Sequence, residues 1–421
     1  MDTSNKITVL SKRAQAGDVT AQLTLAGIYE DGVDVDRDYG LAARWFHEAA
    51  LRGSARAQTK LGEMYLNGYG VDKNIERALY WFREAAQQDD PEAIAKIGWC
   101  YQNGLHVEQN FRRAFKWYRK AAKLGHAGAR YNLGFMYAGG LGTERDMDAA
   151  VKWYKRAAKQ GHRKAQLNLG LLYAEGEAVE RDYIEAVECF RRGADINYGK
   201  AQYNLALMYR NGHGVPRDDE TAAKWFKRAA EMGYFRAQYY LGMCYLKGRG
   251  VSQNYREALC WFERAAEQGD DKAQFQLGHL YLKGRGTPVD QEAAINWLIH
   301  AADQGNVRAQ VDLGKLYLEG DVPARNDGKA LEWFVRAAEN GSMKARYYVG
   351  VMYYKGRGVE KDPERAYQWL YLAANGDDAD PEAEKLLVKV AGKLTKLQLA
   401  DATRNAEELL MSNPVTADQD L

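Results

Sequence analysis

Residues 242–274 read "GMCYLKGRGVSQNYREALCWFERAAEQGDDKAQ", and residues 350–368 begin almost identically with "GVMYYKGRGVEKDPERAYQ". The phrase returns every 36 residues, and a tyrosine marks each of its ten occurrences: Tyr29, Tyr65, Tyr101, Tyr137, Tyr173, Tyr209, Tyr245, Tyr281, Tyr317 and Tyr353. An alanine recurs at the same interval from Ala21 to Ala345. A tryptophan also recurs every 36 residues, except where Cys189 takes its place. We therefore interpret the chain as an array of ten repeats, which overrides any domain count based on length. Each repeat position, or slot, is numbered here by the residue of the first repeat that holds it.

One repeat predicts two helices joined by a short loop. In helix A, Ala237, Leu241 and Tyr245 share one face, and Gly248 ends the helix in the left-handed conformation that glycine adopts cheaply. Helix B follows an aspartate or asparagine that predicts an N-cap in every repeat: Asp38, Asn74, Asn110, Asp146, Asp182, Asp218, Asn254, Asp290, Asn326 and Asp362. Two helices alone cannot bury the large side chains of a repeat, so the repeats must stack. The expected fold is an all-α, right-handed α/α superhelix, a solenoid of helix-turn-helix repeats.

The register of the repeat predicts the domain organisation. Residues 1–18 match a lone B-type helix that caps the start, and residues 19–376 form the ten repeats. Residues 377–411 predict two capping helices, the second opened by a capping box of Thr395 and Gln398, and residues 412–421 predict a flexible tail. Where Cys189 and Gly193 depart from the repeat pattern, we expect looser packing over residues 185–200; we also expect a remodelled loop near 321–325.

Composition excludes several classes of protein. The net charge of +2 gives no bulk attraction to nucleic acid or membranes, and no apolar run is long enough to span a bilayer. The four cysteines show no close pairing, which favours reduced thiols and a cytoplasmic location. The seven histidines show no metal-ligand spacing, and His126 and His162, which follow turn glycines, predict exposed turn residues. No nucleophile–base arrangement or phosphate-binding loop is present, so we expect no enzyme activity, no metal and no cofactor.

The repeat pattern resembles that of the Sel-one-like repeat (SLR) family, a relative of the tetratricopeptide repeat. Residues 57–86 carry it as "AQTKLGEMYLNGYGVDKNIERALYWFREAA", and the resemblance extends over about residues 21–376. It implies the α/α superhelix and a role as an adaptor or scaffold for protein complexes. The cysteine pairs that staple each repeat in one bacterial branch of this family are absent here, which supports the cytoplasmic reading.

Helical geometry points to a binding surface on helix A, opposite its packed face, which lines the concave groove in this type of family. Large side chains recur there at slots 23 and 27, and the predicted partner-binding aromatics are Trp99, Tyr131, Tyr203, Tyr239, Phe275 and Tyr347. Such side chains could equally fill the space between crowded inner helices.

Slot 20 carries a cation in six successive repeats: Lys164, Lys200, Arg236, Lys272, Arg308 and Lys344. A cation in the first turn of a helix opposes the helix dipole, so local stability does not explain the row. We expect this row to bind an acidic peptide segment. Alternatively, the cations pair with nearby carboxylates such as Asp270, and the row is only a solvated edge of the protein. Asn168 and Asn204 at slot 24 are candidates for gripping a carboxylate, or are ordinary residues of the repeat.

The sequence therefore predicts a scaffold or adaptor that binds a partner protein or peptide in its concave groove. The alternatives are a solenoid that binds a polyanion or nucleic acid, and an effector that is secreted without a cleaved signal and acts on a host.

Overall fold

A computed structural model of the chain describes residues 3–33, 35–319, 325–375 and 381–412. Every regular element in these ranges is an α-helix, which confirms the expected all-α solenoid fold. The chain divides into two compact units, an N-terminal unit (Met1–Arg217) and a C-terminal unit (Asp218–Leu421). The predicted remodelled loop at 321–325 and the predicted tail at 412–421 fall largely outside the described residues.

The N-terminal unit is a succession of helix hairpins in which each helix packs against its neighbours in the chain. Its helices are α1 Thr3–Gln15, α2 Val19–Asp31, α3 Tyr39–Leu51, α4 Ala55–Asn67, α5 Ile75–Gln87, α6 Pro91–Asn103, α7 Phe111–Lys123, α8 Ala127–Gly139, α9 Met147–Lys159, α10 Arg163–Glu175, α11 Tyr183–Asp195 and α12 Gly199–Asn211. From α2 onward, even-numbered helices are A helices and odd-numbered helices are B helices.

The C-terminal unit continues the same pattern and ends differently. Its helices are α13 Asp219–Glu231, α14 Phe235–Lys247, α15 Tyr255–Glu267, α16 Asp271–Lys283, α17 Gln291–Asp303, α18 Val307–Glu319, α19 Asp327–Glu339, α20 Met343–Lys355, α21 Pro363–Ala374, α22 Pro381–Ala391 and α23 Lys396–Ser412. Helix α21 packs against both α22 and α23, so these two helices cover the end of the array. The backbone N–H of Gln398 donates to Thr395 Oγ1 at 3.3 Å and the N–H of Thr395 donates to Gln398 Oε1 at 3.0 Å, which confirms the predicted capping box.

The local signals that start and end the helices are confirmed. The side chain of the slot-38 residue accepts a hydrogen bond from the first turn of helix B in all ten repeats. Gly248 ends α14 with φ of 66°. Because these signals lie within a few residues of the helix ends they control, the sequence alone is enough to place them.

A glycine on helix A allows the two helices of a repeat to approach closely. A Cβ on Gly62 would lie 2.6 Å from the ring of Phe82, and a Cβ on Gly134 would lie 2.6 Å from the ring of Tyr154. Phe82 is fully buried and Tyr154 is 3% exposed. The missing side chain at slot 26 therefore makes the space that the slot-46 aromatic ring fills.

A buried glutamine at slot 22 joins the A helix to the preceding B helix in seven of the ten repeats. Gln58 Nε2 donates to the carbonyl oxygen of Ala50 at 3.2 Å, and its Oε1 accepts from Gln88 Nε2 at 2.9 Å. Where slot 52 carries no amide side chain, the glutamine oxygen lacks this donor. Ile196 holds slot 52 in the repeat of Gln166, and the buried Oε1 of Gln166 has no partner among the described residues. The second bond of each glutamine thus depends on the residue at slot 52.

The loop between helices A and B rests on the previous repeat. Gly70 has φ of 67°, and a Cβ there would lie 2.0 Å from the carbonyl oxygen of Tyr39, at the start of the preceding B helix. Among the described residues, two non-glycine residues hold the equivalent place, His106 with φ of 53° and Ala178 with φ of 62°. The left-handed conformation at this slot strains an L-residue, so glycine is favoured there.

The expected loosening over residues 185–200 is wrong. Helix α11 is a regular helix of 13 residues, with Phe190 fully buried and Cys189 7% exposed. Gly193 replaces the usual alanine because a Cβ there would lie 2.7 Å from the Cβ of Ala201 on α12. The departure from the pattern therefore accompanies closer packing between α11 and α12.

Opposite substitutions at slot 34 should have opposite effects on stability. Gly70→Ala should destabilise the protein by at least 1 to 2 kcal/mol, because the left-handed backbone alone costs an L-residue about that much. Ala178→Gly should stabilise it by about 0.5 to 1 kcal/mol, since relief of strain exceeds the added entropy of the unfolded chain. Urea and thermal unfolding followed by circular dichroism measure both, and shifts of the same sign would contradict the argument.

Supplying the missing amide at slot 52 should stabilise the N-terminal unit. Ile196 is 50% exposed, so Ile196→Gln sacrifices little burial and places a donor where Gln88 stands relative to Gln58. We expect a gain of about 1 kcal/mol from the new hydrogen bond to Gln166 Oε1. A double-mutant cycle with Gln166→Leu isolates the bond, and a coupling energy near zero would show that it does not form.

Candidate partner-binding surface

The six slot-20 cations occupy equivalent places, because each is the second residue of its A helix. All six side chains are exposed. Within the described part of the chain, no carboxylate oxygen lies within 4.0 Å of the charged nitrogens of Lys164, Lys200, Arg236, Arg308 or Lys344. For these five residues, therefore, the structure gives no support to the alternative of a row neutralised by direct ion pairs.

In the C-terminal unit, the structure brings four of the predicted site residues together around one cavity of about 340 Å³. Tyr239 of α14 and Phe275 of α16 provide aromatic surface, and Lys272 of α16 and Arg308 of α18 provide charge. Tyr240, Gln276 and the turn before α18 complete the lining. Basic and apolar groups on this face of the A helices thus share one concave surface.

The acidic groups beside this cavity are held within the protein. Asp270 caps α16 by accepting from the N–H of Ala273 at 2.7 Å, and burial raises its pKa, while nearby Lys272 and Arg236 act in the opposite direction. Asp271 accepts from Asn306 Nδ2 at 2.8 Å. The exposed end of Arg308 is therefore not committed to either carboxylate.

In the N-terminal unit, Tyr131 lies in an aromatic cluster. Its ring stacks on the imidazole of His162 with centroids 4.7 Å apart and lies 5.8 Å from the ring of Tyr154. Burial raises the pKa of Tyr154 to about 12, with the nearby amide of Asn168 acting in the opposite direction. Burial also raises the pKa of Tyr131, again opposed by Asn168. Asn168 thus lies beside two phenols of its own chain, so a ligand carboxylate would have to compete with them.

The other predicted residues differ in how much surface they present. Trp99 is 39% exposed and offers a large apolar face, whereas Tyr203 is only 9% exposed and belongs to the packed interior. Tyr347 is partly buried and packs against the cluster of α21, α22 and α23. Asn204 Nδ2 donates to the carbonyl oxygen of Lys200 in its own helix at 2.8 Å. Phe135, at the same slot as Trp99, is 43% exposed and extends the apolar surface of the N-terminal unit.

Sequence reasoning missed a network of charges on the first A helices. Lys60 Nζ lies 3.1 Å from Glu30 Oε1, and Lys96 Nζ lies 2.7 Å from Glu63 Oε1 and 3.5 Å from Glu92 Oε1. Burial opposes the charge on Lys96, but Glu63 and Glu92 outweigh it, so the pKa of Lys96 is raised. The available signal was the lysine at slot 24 in these repeats, with a glutamate at slot 27 or slot 30 of the repeat before it. This part of the A-helix face is internally neutralised, unlike the slot-20 row.

The prediction that His126 and His162 are exposed turn residues is wrong, because both are partly buried N-caps. His126 Nδ1 accepts from the N–H of Ala129 at 2.9 Å while its Nε2 lies 2.9 Å from Glu92 Oε2. His162 Nδ1 accepts from the N–H of Ala165 at 3.3 Å. In each case the acceptor nitrogen must be unprotonated, so these caps require the neutral imidazole.

The described residues offer no cluster of side chains suited to a metal ion. They contain no group of three or more histidine, cysteine, aspartate or glutamate side chains that could hold a metal ion. All four cysteines are free thiols, and burial raises the pKa of both Cys100 and Cys189 to about 11, which keeps them protonated at neutral pH. None of the helices in this part of the chain has the length and hydropathy needed to cross a membrane.

The fold and the repeat define a class of protein, an α-solenoid of stacked helix hairpins. Comparison with known proteins identifies the family. The Sel1 repeat model matches ten consecutive segments: 19–54, 55–90, 91–126, 127–162, 163–198, 199–234, 235–270, 271–306, 307–342 and 344–378. The chain therefore belongs to the Sel1 repeat family, whose solenoid fold is typically used for protein–protein interaction.

Two solved structures of this family are similar to the chain. One is c5321, a protective antigen present in uropathogenic Escherichia coli strains and displaying an SLR fold; it is 31% identical with a TM-score of 0.79, and the match covers 100% of this chain and 92% of that one. The other is a Sel1 repeat protein from Oxalobacter formigenes, 34% identical with a TM-score of 0.53, where the match covers 73% of this chain and 89% of that one. No curated protein matches the sequence.

The cap of α10 should make stability depend on pH. Burial and the neighbouring charges of Lys164, His126 and Arg163 lower the pKa of His162 in the folded protein. As pH falls below about 6.5, His162 is therefore protonated in the unfolded chain before it is protonated in the folded protein. The contribution of the cap to the free energy of unfolding is full above about pH 6.5 and is lost as pH falls below that value. His162→Ser, which keeps a capping oxygen as Ser54 does for α4, should reduce the loss between pH 7 and 5. Urea unfolding across this range measures the effect.

The exposed His300 on α17 provides the control for this measurement. His300→Ser should retain the wild-type pH dependence. If His162→Ser and the wild type lose stability equally between pH 7 and 5, the cap of α10 is not the titrating element.

Proposed function

We propose that this chain is a non-enzymatic scaffold that binds a segment of a partner protein along the A-helix face. Apolar and aromatic side chains at slots 23 and 27 supply contact area, and the slot-20 cations attract acidic residues of the segment. The proposal rests chiefly on one observation: the slot-20 side chains are exposed, and five of the six have no ion pair among the described residues. Since a cation in the first turn weakens a helix by roughly 0.3–1 kcal/mol, the row is better explained by a ligand than by stability.

Each unit contributes a surface of its own. The N-terminal unit offers Trp99 and Phe135, with Lys164 and Lys200 at slot 20. The C-terminal unit offers the cavity lined by Tyr239, Phe275, Lys272 and Arg308, with Arg236 and Lys344 at slot 20. Exposed aromatic groups favour protein recognition because they bury a large area at a small cost in side-chain entropy. A preformed array of helices also lowers the ordering cost of binding.

The same row of cations could attract RNA or another polyanion. The net charge of +2 argues against this alternative, since binding to nucleic acid is carried mainly by phosphate neutralisation. A partner protein recognised through aromatic contact should remain bound at moderate salt, whereas RNA held only by the row should be released.

For its location, we propose the cytoplasm, because all four thiols are free. The similar chain from Escherichia coli is described as a protective antigen, which supports export as the alternative. Protease accessibility of the protein in intact and lysed cells separates the two locations.

Charge reversal of the row should abolish partner binding without unfolding the protein. We expect Arg236→Glu/Lys272→Glu/Arg308→Glu to lose the main partner in affinity capture from cells at physiological salt. Acidic residues in the first turn suit the helix dipole, so the melting temperature should remain within a few degrees of the wild type. Quantitative mass spectrometry of captured proteins and circular dichroism provide the two measurements.

A matched control changes the same net charge on the B helices. Lys116, Lys152 and Lys227 are exposed there, and their replacement by glutamate should leave capture unchanged. Equal loss in both variants would indicate a nonspecific charge effect, and unchanged capture in both would remove the slot-20 row from the proposal. RNA recovered at low salt and lost at moderate salt would favour the polyanion alternative.

A further inference from the structure

We infer that the cavity of the C-terminal unit is a specificity pocket for an internal segment of a partner that carries two acidic side chains flanking an apolar one. This inference rests on the proposed function and assigns the chemistry of one site within it. The cavity lies at the first turns of α16 and α18, so its two cations come from separate helices.

The shape of the cavity suits part of a peptide rather than a free ion. A volume of about 340 Å³ accommodates one large side chain together with a short length of backbone. The rings of Tyr239 and Phe275 form part of the wall, and the ring of Phe275 is held by an edge contact with His279 at 4.6 Å between centroids. His279 Nε2 in turn lies 3.0 Å from Asp312 Oδ2, so this contact links α16 to α18. The ring of Phe275 is therefore held by contacts within the protein.

The charge of the cavity favours a carboxylate over a cation. Its lining includes two cations, Lys272 and Arg308, and one carboxylate, Asp271, which accepts a hydrogen bond from Asn306 Nδ2 at 2.8 Å. The first turns of α16 and α18 also point the positive ends of their dipoles toward this region. An arginine at the rim suits a carboxylate in particular, because the planar guanidinium can donate two parallel hydrogen bonds.

The placement of the two cations favours acidic side chains over a terminal carboxylate. A chain terminus brings one anionic group, whereas Lys272 and Arg308 stand on neighbouring A helices, whose axes we take to be on the order of 10 Å apart. In the polyproline II conformation, residues i and i+3 lie on the same side of an extended chain about 9.3 Å apart. Two glutamates at that spacing could therefore reach both cations while an apolar residue between them enters the cavity.

The probe that tests this inference is a fluorescein-labelled, C-terminally amidated peptide of sequence Gly-Gly-Glu-Phe-Gly-Glu-Gly-Gly. Fluorescence polarisation with the full chain measures its binding, and Arg308→Gln should raise Kd by about fivefold, as expected for loss of a partly exposed charge pair. Gln276→Glu, an isosteric change in the cavity lining, should weaken binding similarly by repulsion. The Gln-for-Glu peptide and the Ala-for-Phe peptide should both bind more weakly than the probe.

The matched control is Arg56→Gln. Arg56 is an exposed arginine at slot 20 of α4 in the N-terminal unit, so the variant removes the same group from the same repeat position away from the cavity. It should leave Kd for the probe unchanged. If Arg56→Gln and Arg308→Gln weaken binding of the probe equally, the specificity pocket is wrong. The result would instead indicate an acid-binding surface distributed along the slot-20 row, which is consistent with the proposed function.

Two further outcomes overturn the inference in distinguishable ways. If a peptide with neutral side chains and a free C-terminus binds more tightly than the amidated probe, the site takes a terminal carboxylate instead. If the probe peptide does not bind, but the charge-reversed variant of the slot-20 row still loses its partner in affinity capture, the pocket is wrong and the proposed function stands. If neither the probe nor the partner responds to any of these substitutions, both fail.

Discussion

The close approach of the two helices within a repeat depends on a glycine that faces an aromatic ring. At Gly62, Gly170 and Gly314 an added Cβ would lie 2.6 Å from the phenylalanine of the following B helix. The ring fills the volume that a side chain on helix A would occupy, and burying it contributes about 2 to 3 kcal/mol per repeat. Where a leucine replaces the ring, as Leu298 does beside Gly278, the space is still occupied, because a Cβ there would lie 2.7 Å from the leucine. The A and B helices of every such repeat therefore meet at nearly the same separation.

Contacts between repeats follow from that separation. The slot-22 glutamine reaches the carbonyl group at the end of the preceding B helix, as Gln238 does to Ala230 at 3.2 Å and Gln274 to Ala266 at 3.2 Å. On the other side of the repeat, the slot-34 glycine places the loop against the backbone at the start of the preceding B helix. Because both contacts use backbone groups of the neighbour, they tolerate wide variation in its side chains. Stability in such an array is a sum over repeats and their interfaces, so each substitution acts locally.

The sequence was sufficient for most features that residues a few positions apart determine. The helices, the slot-38 caps, the left-handed Gly248 and the capping box at Thr395 all depend on residues a few positions apart. The imidazole caps at His126 and His162 are also local, but histidine is not among the usual N-cap residues, so they were missed. The bond from Gln88 to Gln58 and the ion pairs of Lys96 were not accessible in this way, because they need the register between helices about 30 residues apart. The close packing at Gly193 was misjudged for the same reason, since the alanine that requires it lies in the next repeat. The predicted site residues were identified by slot, but which of them share a cavity depended on the structure.

The distribution of caps adds a physical argument about the slot-20 row. Helices α12 and α14 begin after Tyr198 and Tyr234, and neither has a side-chain cap hydrogen bond. These two helices also carry Lys200 and Arg236 in the first turn, so both of the usual means of stabilising a helix N-terminus are missing there. Loss of a cap and an unfavourable charge together cost on the order of 1 to 2 kcal/mol per helix. By contrast, α6 has Asp90 as its cap and Glu92 in its first turn, which shows that the same scaffold accepts the stabilising choice. Two of the six cations, Lys200 and Arg236, therefore lie at helix termini that are already weak, which local stability disfavours and which a requirement for positive charge on this face would produce.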